Sequence, residues 1–256
     1  SGESVSDEAI HDALAGNLCR CTGYRSIVAA AHAAMSGNVE EAALTTFAEP
    51  SATELYEAQG QSFLSPQSLD ALIAARVEHP GAPLLSGGTD LGLSFSKDRA
   101  AFPVTIFTQN VVELKRIEED DAAIILGAAV TYSEALARIE ELFPSFAVLI
   151  HRIGSRQIRN VGTFGGNIGN ASPIGDTPPC LIALDTALTL HGPKGARDIQ
   201  LEDFFLDYRK TDLAGDEVIA SLTIPKLGPD QNFRSYKVSK RYDQDISAVV
   251  GAFRLT

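Results

Sequence analysis

An α+β fold in two lobes is what this sequence predicts, and three observations predict it. Helical and strand patterns alternate between Ser65 and Leu184. Strand patterns dominate after Leu184, where polar and apolar residues alternate as they do in half-buried antiparallel sheets. A short alanine-rich helical unit stands apart at the front. With 256 residues, of which 45% are hydrophobic and 21% charged, the chain has enough apolar material for a sizeable core.

Taken in order, Ser6 is placed to cap a first helix. Asp7 and Glu8 favour its dipole, Ile10 and Leu14 share one face, and Gly16 ends it. A second helix is predicted over about Tyr24 to Ser36, with Gly37 as its stop. The stretch 38–61 lacks periodicity and reads as a linker. Ser65-Pro66 then opens a helix carrying Leu69, Leu72 and Ile73, closed by His79-Pro80-Gly81. PLLSGGTDLG is a short apolar strand running into glycines, and PVTIF and AIILGAAV read as further strands. Thr131 and Glu134 form a capping box for a helix bearing Leu136, Ile139 and Leu142, and another helix is predicted from Phe146 to about Ile153. Asp176 is placed to cap a helix with Pro178 and Pro179 in its first turn. ALTLHGPKGARDIQL reads as a hairpin, and EVIASLTIP and FRSYKVSKR as antiparallel strands. This divides the chain into a helical unit over 1–37, a linker over 38–61, a main unit over 62–232 and the start of a further unit over 233–256.

Composition excludes several classes. A net charge of −12 does not suit a phosphate-backbone surface, so no nucleic-acid partner is expected. No run of eighteen apolar residues and no signal-peptide pattern occurs, so no membrane partner is expected. Three cysteines in this length make no disulfide framework, which points to a reducing, cytoplasmic compartment. The first residue is not Met and SAVVGAFRLT ends the chain on a strand pattern, so a fragment is expected.

Two glycine-bearing segments carry the chemistry, Leu85 to Asp90 and Gly162 to Asn170. Glycine permits positive φ and close approach, and several N–H groups converging on one concavity make an anion nest. Thr89, Thr163, Asn167 and Asn170 add neutral donors. That kit suits a pyrophosphate; the alternative is two plain tight turns. GGTDLG is not the G-x-G-x-x-G dinucleotide fingerprint, and no G-x-x-x-x-G-K-[ST] occurs. Cys19-Arg20-Cys21 sits between the first two helices, as either two ligands for zinc or iron–sulfur or two reduced thiols. Cys180 reads as a buried core residue. No nucleophile–base or acid–base set is recognisable, so no catalytic residue is assigned. Asp176 reads as a cap, and Lys237 and Arg241 either meet phosphate or, the favoured reading, face solvent.

GNLCRCTGYRSIVAAA resembles the second half of the [2Fe–2S] motif in the helical domain of molybdenum hydroxylases. LLSGGTDLGL and RQIRNVGTFGGNIGNASPIGDTPP resemble the two FAD-binding motifs of the same family's flavin domain. Together these strings span most of the chain, in the family's domain order. The resemblance implies a two-lobed FAD-binding domain of the PCMH/vanillyl-alcohol-oxidase type behind a short [2Fe–2S] segment. It implies cluster ligands at Cys19 and Cys21. It implies FAD contacts at Leu84, Leu85, Ser86, Gly87, Gly88, Thr89, Asp90 and Leu91, and at Thr163, Phe164, Gly165, Gly166, Asn167 and Asn170. Asp176, Ile153, Ile219 and Lys237 fall where the family also contacts FAD. Direct fusion of the two domains is similar to the small subunit of the xanthine dehydrogenase branch. That implies an electron-transfer subunit passing electrons to NAD, with a molybdenum-cofactor-bearing large subunit as partner in a hetero-oligomer such as (αβ)2. Another molybdenum hydroxylase and a non-catalytic interaction module are the alternatives.

Overall fold

The structure is a computed structural model that describes residues 6–17, 23–36 and 55–256. Cys19 and Cys21 lie outside the described residues.

The helical unit holds α1 (Asp7–Leu14) and α2 (Tyr24–Met35). Ser6 caps α1 as expected, its hydroxyl accepting from the Ala9 amide at 3.1 Å. His32 of α2 meets the Asp7 carboxylate at 2.6 Å and ties the two helices together.

The first lobe of the main unit comprises β1 (Leu55–Ala58), β2 (Gln61–Leu64), α3 (Leu69–Glu78), β3 (Leu84–Leu85), α4 (Leu91–Ser96) and β4 (Val104–Phe107). Its sheet runs β1-β2-β4-β3, with β2 and β3 parallel to β4 and β1 antiparallel to β2. The linker reading over 38–61 therefore fails at its end: 55–58 is a strand. Gln59 and Gly60 both take positive φ, +52° and +76°, the geometry of a tight two-residue hairpin. The cap of α3 is Ser68 rather than Ser65, because the Ser68 hydroxyl accepts from the Ala71 amide at 3.2 Å while that of Ser65 accepts from Asn110 at 2.8 Å.

The second lobe follows a single 3-10 turn at Val112–Lys115. It contains β5 (Ile117–Glu119), β6 (Ala123–Gly127), α5 (Tyr132–Leu142), α6 (Pro144–His151), α7 (Arg156–Arg159), α8 (Phe164–Asn170), α9 (Thr177–Ala183), β7 (Ala187–Gly192), β8 (Gly195–Gln200), α10 (Leu201–Phe204), β9 (Phe205–Asp207), β10 (Lys210–Thr211) and β11 (Val218–Pro225). Its main sheet is antiparallel, in the order β5-β6-β11-β7-β8. The Thr131–Glu134 capping box forms as expected, and α6 starts at Pro144, two residues before the expected Phe146. The segment 164–170, read as a glycine loop, is a helix. The Thr163 hydroxyl accepts from the Gly166 amide at 3.0 Å, and Phe164 and Ile168, one turn apart, are both fully buried.

A last hairpin, β12 (Asn232–Ser239) and β13 (Ser247–Leu255), packs on α6 and α9. The Ser235 amide donates to the Ser145 hydroxyl at 2.7 Å, and Arg152 donates to the Lys237 carbonyl at 2.7 Å. One continuous core joins the lobes, with Leu72 and Ile106 from the first and Leu126, Phe146, Phe164, Leu188 and Leu222 from the second.

Cys180 lies in that core with no exposed surface, and burial pushes its thiol up to about 12. Iodoacetamide at neutral pH is therefore expected to spare Cys180 in the folded protein and to modify it after unfolding. Peptide mass spectrometry reads the result, and rapid native labelling would contradict this packing.

Candidate functional site

Beyond the carboxyl end of β3 the chain turns through Ser86–Asp90, and this turn meets the 162–167 segment across a cleft of about 400 Å³. A loop at the carboxyl end of a parallel strand is a common ligand position in α/β sheets. Of the residues expected to bind, Leu84, Ser86, Gly87, Gly88, Thr89, Asp90 and Leu91 line one side, and Thr163, Gly165, Gly166, Asn167 and Asn170 line another. Ile219 lines it from β11, beside an irregularity in the β11–β7 register.

The two segments differ in what they offer. Among the described residues, the main-chain N–H groups of Gly87, Gly88, Thr89 and Asp90 make no hydrogen bond within the chain. Gly88 holds the turn with φ +67°. The second segment supplies no such nest. Its amides at Phe164, Gly165, Gly166 and Asn167 donate to Val130 O, Ala128 O, Thr163 Oγ1 and Thr163 O. An expected two-sided grip by free amides is therefore one-sided, and the second segment contributes side chains. The Thr163 hydroxyl donates to Ser86 Oγ at 3.2 Å, which also accepts from Gln109 Nε2 at 3.2 Å. Asn167 Oδ1 accepts from Thr177 Oγ1 at 2.5 Å.

Two glycines serve protein packing rather than ligand approach. A Cβ on Gly87 would lie 1.8 Å from the Val161 carbonyl oxygen, and one on Gly165 would lie 2.5 Å from the Ala128 Cβ. The first contact locks the two segments together. The Thr131–Thr163 bridge and the Tyr132 amide, donating to Gly162 O at 3.0 Å, bind the second segment to the start of α5.

Five expected contacts do not line the cleft. Leu85 sits on β3 and lines a shallow aromatic depression with Phe63 and Phe102, and Phe164 is core. Ile153 packs half-buried against the core. Asp176 does not cap α9: its carboxylate accepts from Lys237 Nζ at 2.6 Å and from Ser247 Oγ. The solvent reading of Lys237 is wrong, since its side chain is 3% exposed and also donates to Arg152 O at 3.1 Å. A buried ammonium must find a carboxylate, and Asp176 is that partner.

Residues without a motif complete the cleft, among them Arg76, Ala128, Tyr132, Leu213 and Val218. Arg76 donates from Nη1 to Ala82 O at 2.7 Å, while its Nε is buried with no partner among the described residues. Burial lowers its pKa and nearby Asp216 opposes that. Burial raises the Tyr132 phenol well above the ordinary tyrosine value. Free amides on one side, apolar side chains from Leu84, Leu91 and Ile219, and the Arg76 side chain in the lining fit a large anionic ligand with apolar rings.

A family described as "FAD binding domain in molybdopterin dehydrogenase" matches residues 56–227. One described as "[2Fe-2S] binding domain" matches residues 2–32. Xanthine dehydrogenase 2 of Arabidopsis thaliana is 29% identical over 328 aligned residues, which take in 100% of this chain and 24% of that protein. Xanthine dehydrogenase/oxidase of Gallus gallus is 31% identical over 205 residues, covering 75% of this chain and 15% of that protein. The chain thus spans about a quarter of the length, or less, of these curated relatives. Among solved structures, a Cu,Mo-CO dehydrogenase superposes with a TM-score of 0.70 at 25% identity, covering 76% of this chain and 68% of its own. Quinoline 2-oxidoreductase of Pseudomonas putida 86 reaches 0.69 at 23% identity, covering 74% and 66%, which supports the fold alone.

Proposed function

Because the chain belongs to the family of FAD-binding domains in molybdopterin dehydrogenases, we propose that it is the iron–sulfur and flavin part of an NAD-linked xanthine dehydrogenase. The observation that supports this most directly is the row of unbonded amides from Gly87 to Asp90 lining the cleft. These amides hold the pyrophosphate, and Thr89 and Asn170 add side-chain donors. Leu84, Leu91 and Ile219 give apolar contact. Leu85, Phe164, Ile153, Asp176 and Lys237 are left out of the contact set, because they do not line the cleft.

Bound there, FAD supplies two-electron chemistry, taking electrons that originate at a molybdenum site on a larger partner chain and reach it by way of iron–sulfur clusters, and giving them to NAD⁺. The chain's own residues bind and orient the cofactor and keep water from it. A [2Fe–2S] cluster takes four protein ligands. Cys19 and Cys21 supply two of them, and Cys180, buried in the core, cannot join. The other two ligands are not cysteines of this sequence. Among the described residues no group of three or more potential ligands forms a metal site, and no helix is long and apolar enough to cross a membrane.

The names of the curated relatives favour xanthine as substrate. The likeness to a CO dehydrogenase favours a second reading, the same electron-transfer role beside a different molybdenum site. Co-purification of the full-length protein with its partner tests both. The expected result is one FAD per chain by visible absorbance, iron in the preparation, and NAD⁺ reduction on addition of xanthine. Activity with an aldehyde or another heterocycle alone selects the second reading, and a colourless protein without iron ends both.

A further inference from the structure

Away from the cleft, one buried cation joins the helical unit to the main unit. Arg159 is the last residue of α7, and its side chain is 3% exposed. Its Nη1 donates to the carbonyl oxygens of His151 at 2.9 Å, Gly154 at 3.4 Å and Ile153 at 3.5 Å. Those bonds fix the guanidinium at the end of α6. Its Nη2 donates to Asp12 of α1, 147 residues away in sequence. Ile10 of α1 is buried as well. Gly16 approaches so closely that a Cβ there would lie 2.8 Å from the Ser155 Cβ, and it has φ +88°. A side chain at position 16 would push the two units apart.

The contact has a mechanical link to the cleft on one side and to the cysteine pair on the other. Three residues after Arg159, Gly162 lines the cleft, and Val161 packs on Gly87. In the other direction only Asn17 and Leu18 separate Gly16 from Cys19.

We infer that Arg159 and Asp12 form a clamp that docks the helical unit against the wall of the cleft. Arg159 is thereby a positioning residue for electron passage between the cysteine pair and the cleft. The docking follows from the contacts alone; its role in electron passage rests on the FAD and iron–sulfur reading given above. A buried guanidinium needs its carboxylate, so departure of α1 is opposed as long as Asp12 is present. A cluster held in part by Cys19 and Cys21 would pass electrons singly, and FAD held by the cleft would be reduced by two of them, with protons from solvent. The two electrons would come from the substrate that the partner's molybdenum site oxidises.

The test compares wild type, Asp12→Ala, Asp12→Glu and the control Glu8→Ala in the full-length holoenzyme with its partner. Hydrogen exchange read by mass spectrometry is expected to show peptides of α1 exchanging about tenfold faster, or more, in Asp12→Ala, the loss of one charge-assisted hydrogen bond. Peptides of β6 and β11 keep their protection, Glu8→Ala, which removes a first-turn carboxylate, speeds α1 far less than Asp12→Ala, and Asp12→Glu recovers part of the loss. With FAD and iron contents unchanged, the rate of flavin reduction by substrate, followed at the flavin absorbance, is expected to fall in Asp12→Ala and recover in Asp12→Glu. Unchanged exchange in α1 overturns the clamp. Faster exchange with an unchanged flavin reduction rate overturns the positioning role. A holoenzyme without flavin overturns the functional reading instead, and the exchange data then still decide the clamp.

Discussion

Replacement of Gly87 by alanine is expected to strip the protein of flavin and to lower its melting temperature by several degrees. The added Cβ would lie 1.8 Å from the Val161 carbonyl oxygen, 2.5 Å from its carbon and 2.9 Å from the Gly162 nitrogen. All three atoms are backbone, so no side-chain rotation relieves the clash. The turn after β3 and the segment before α8 must separate, and these two segments are the walls of the cleft. Overpacking of this kind costs about 1–3 kcal/mol, which in a chain of this size is roughly 2–12 °C. The flavin loss is expected to exceed what that destabilisation explains, because the walls themselves move. Two variants separate the causes. Gly166→Ala meets only the Thr163 hydroxyl at 2.7 Å and the Ser86 Cβ at 3.9 Å, so it disturbs a cap rather than the joint between the walls. Gly92→Ala meets nothing within 4 Å and is expected to be silent. Absorbance after gel filtration measures retained FAD and calorimetry measures the melting temperature. Full flavin content in Gly87→Ala would show that the cofactor does not depend on this joint.

Parts of this architecture are legible in the sequence where one short stretch satisfies its own backbone. The Thr131–Glu134 box, the β7–β8 hairpin and the Ser6 cap are of that kind, since the bonding partners lie within a few residues. Two segments deceived for opposite reasons. GGNIGN has low intrinsic helix propensity, yet it is helical because Thr163 caps it and Phe164 and Ile168 anchor it in a core whose other members come from distant elements. Strand β1 carries exposed residues throughout and is defined by pairing with β2, through a positive-φ turn at Gln59 that composition does not announce. The cleft was legible on its glycine side, through Gly87 to Asp90 and Gly162 to Asn170. It was not legible at Arg76, Tyr132 or Leu213, because nothing local marks a residue that meets the site only after folding. Gly87 and Gly165 are small because protein, not ligand, fills the space beside them.

The alternation expected for β12 is present, but the charge at Lys237 misled, and it leads to the second large effect. Phe233, Ser235, Lys237 and Ser239 share one face of the strand, and Tyr236 and Val238 on the other face are both 57% exposed. The charged residue points inward because Asp176 waits there, with its other carboxylate oxygen accepting from Ser247. The pair therefore joins β12 and β13 to the start of α9. Lys237→Met keeps the volume and removes the charge, leaving Asp176, 10% exposed, as an uncompensated buried anion. Breaking such a pair from one side costs about 3–5 kcal/mol, and the expected fall in melting temperature is roughly 6–20 °C. Asp176→Asn is expected to do comparable harm from the other side, by stranding the ammonium. The double variant Asp176→Asn/Lys237→Met is expected to regain most of the loss, because residues in direct contact are strongly non-additive. Thermal unfolding of the four proteins gives that coupling directly, and additive losses would refute the pairing. The same series decides whether these two residues belong to the cofactor. A Lys237→Met protein that keeps its melting temperature but sheds flavin would assign the lysine to FAD; one that melts early yet binds flavin normally in the cold assigns it to the joint between hairpin and helix.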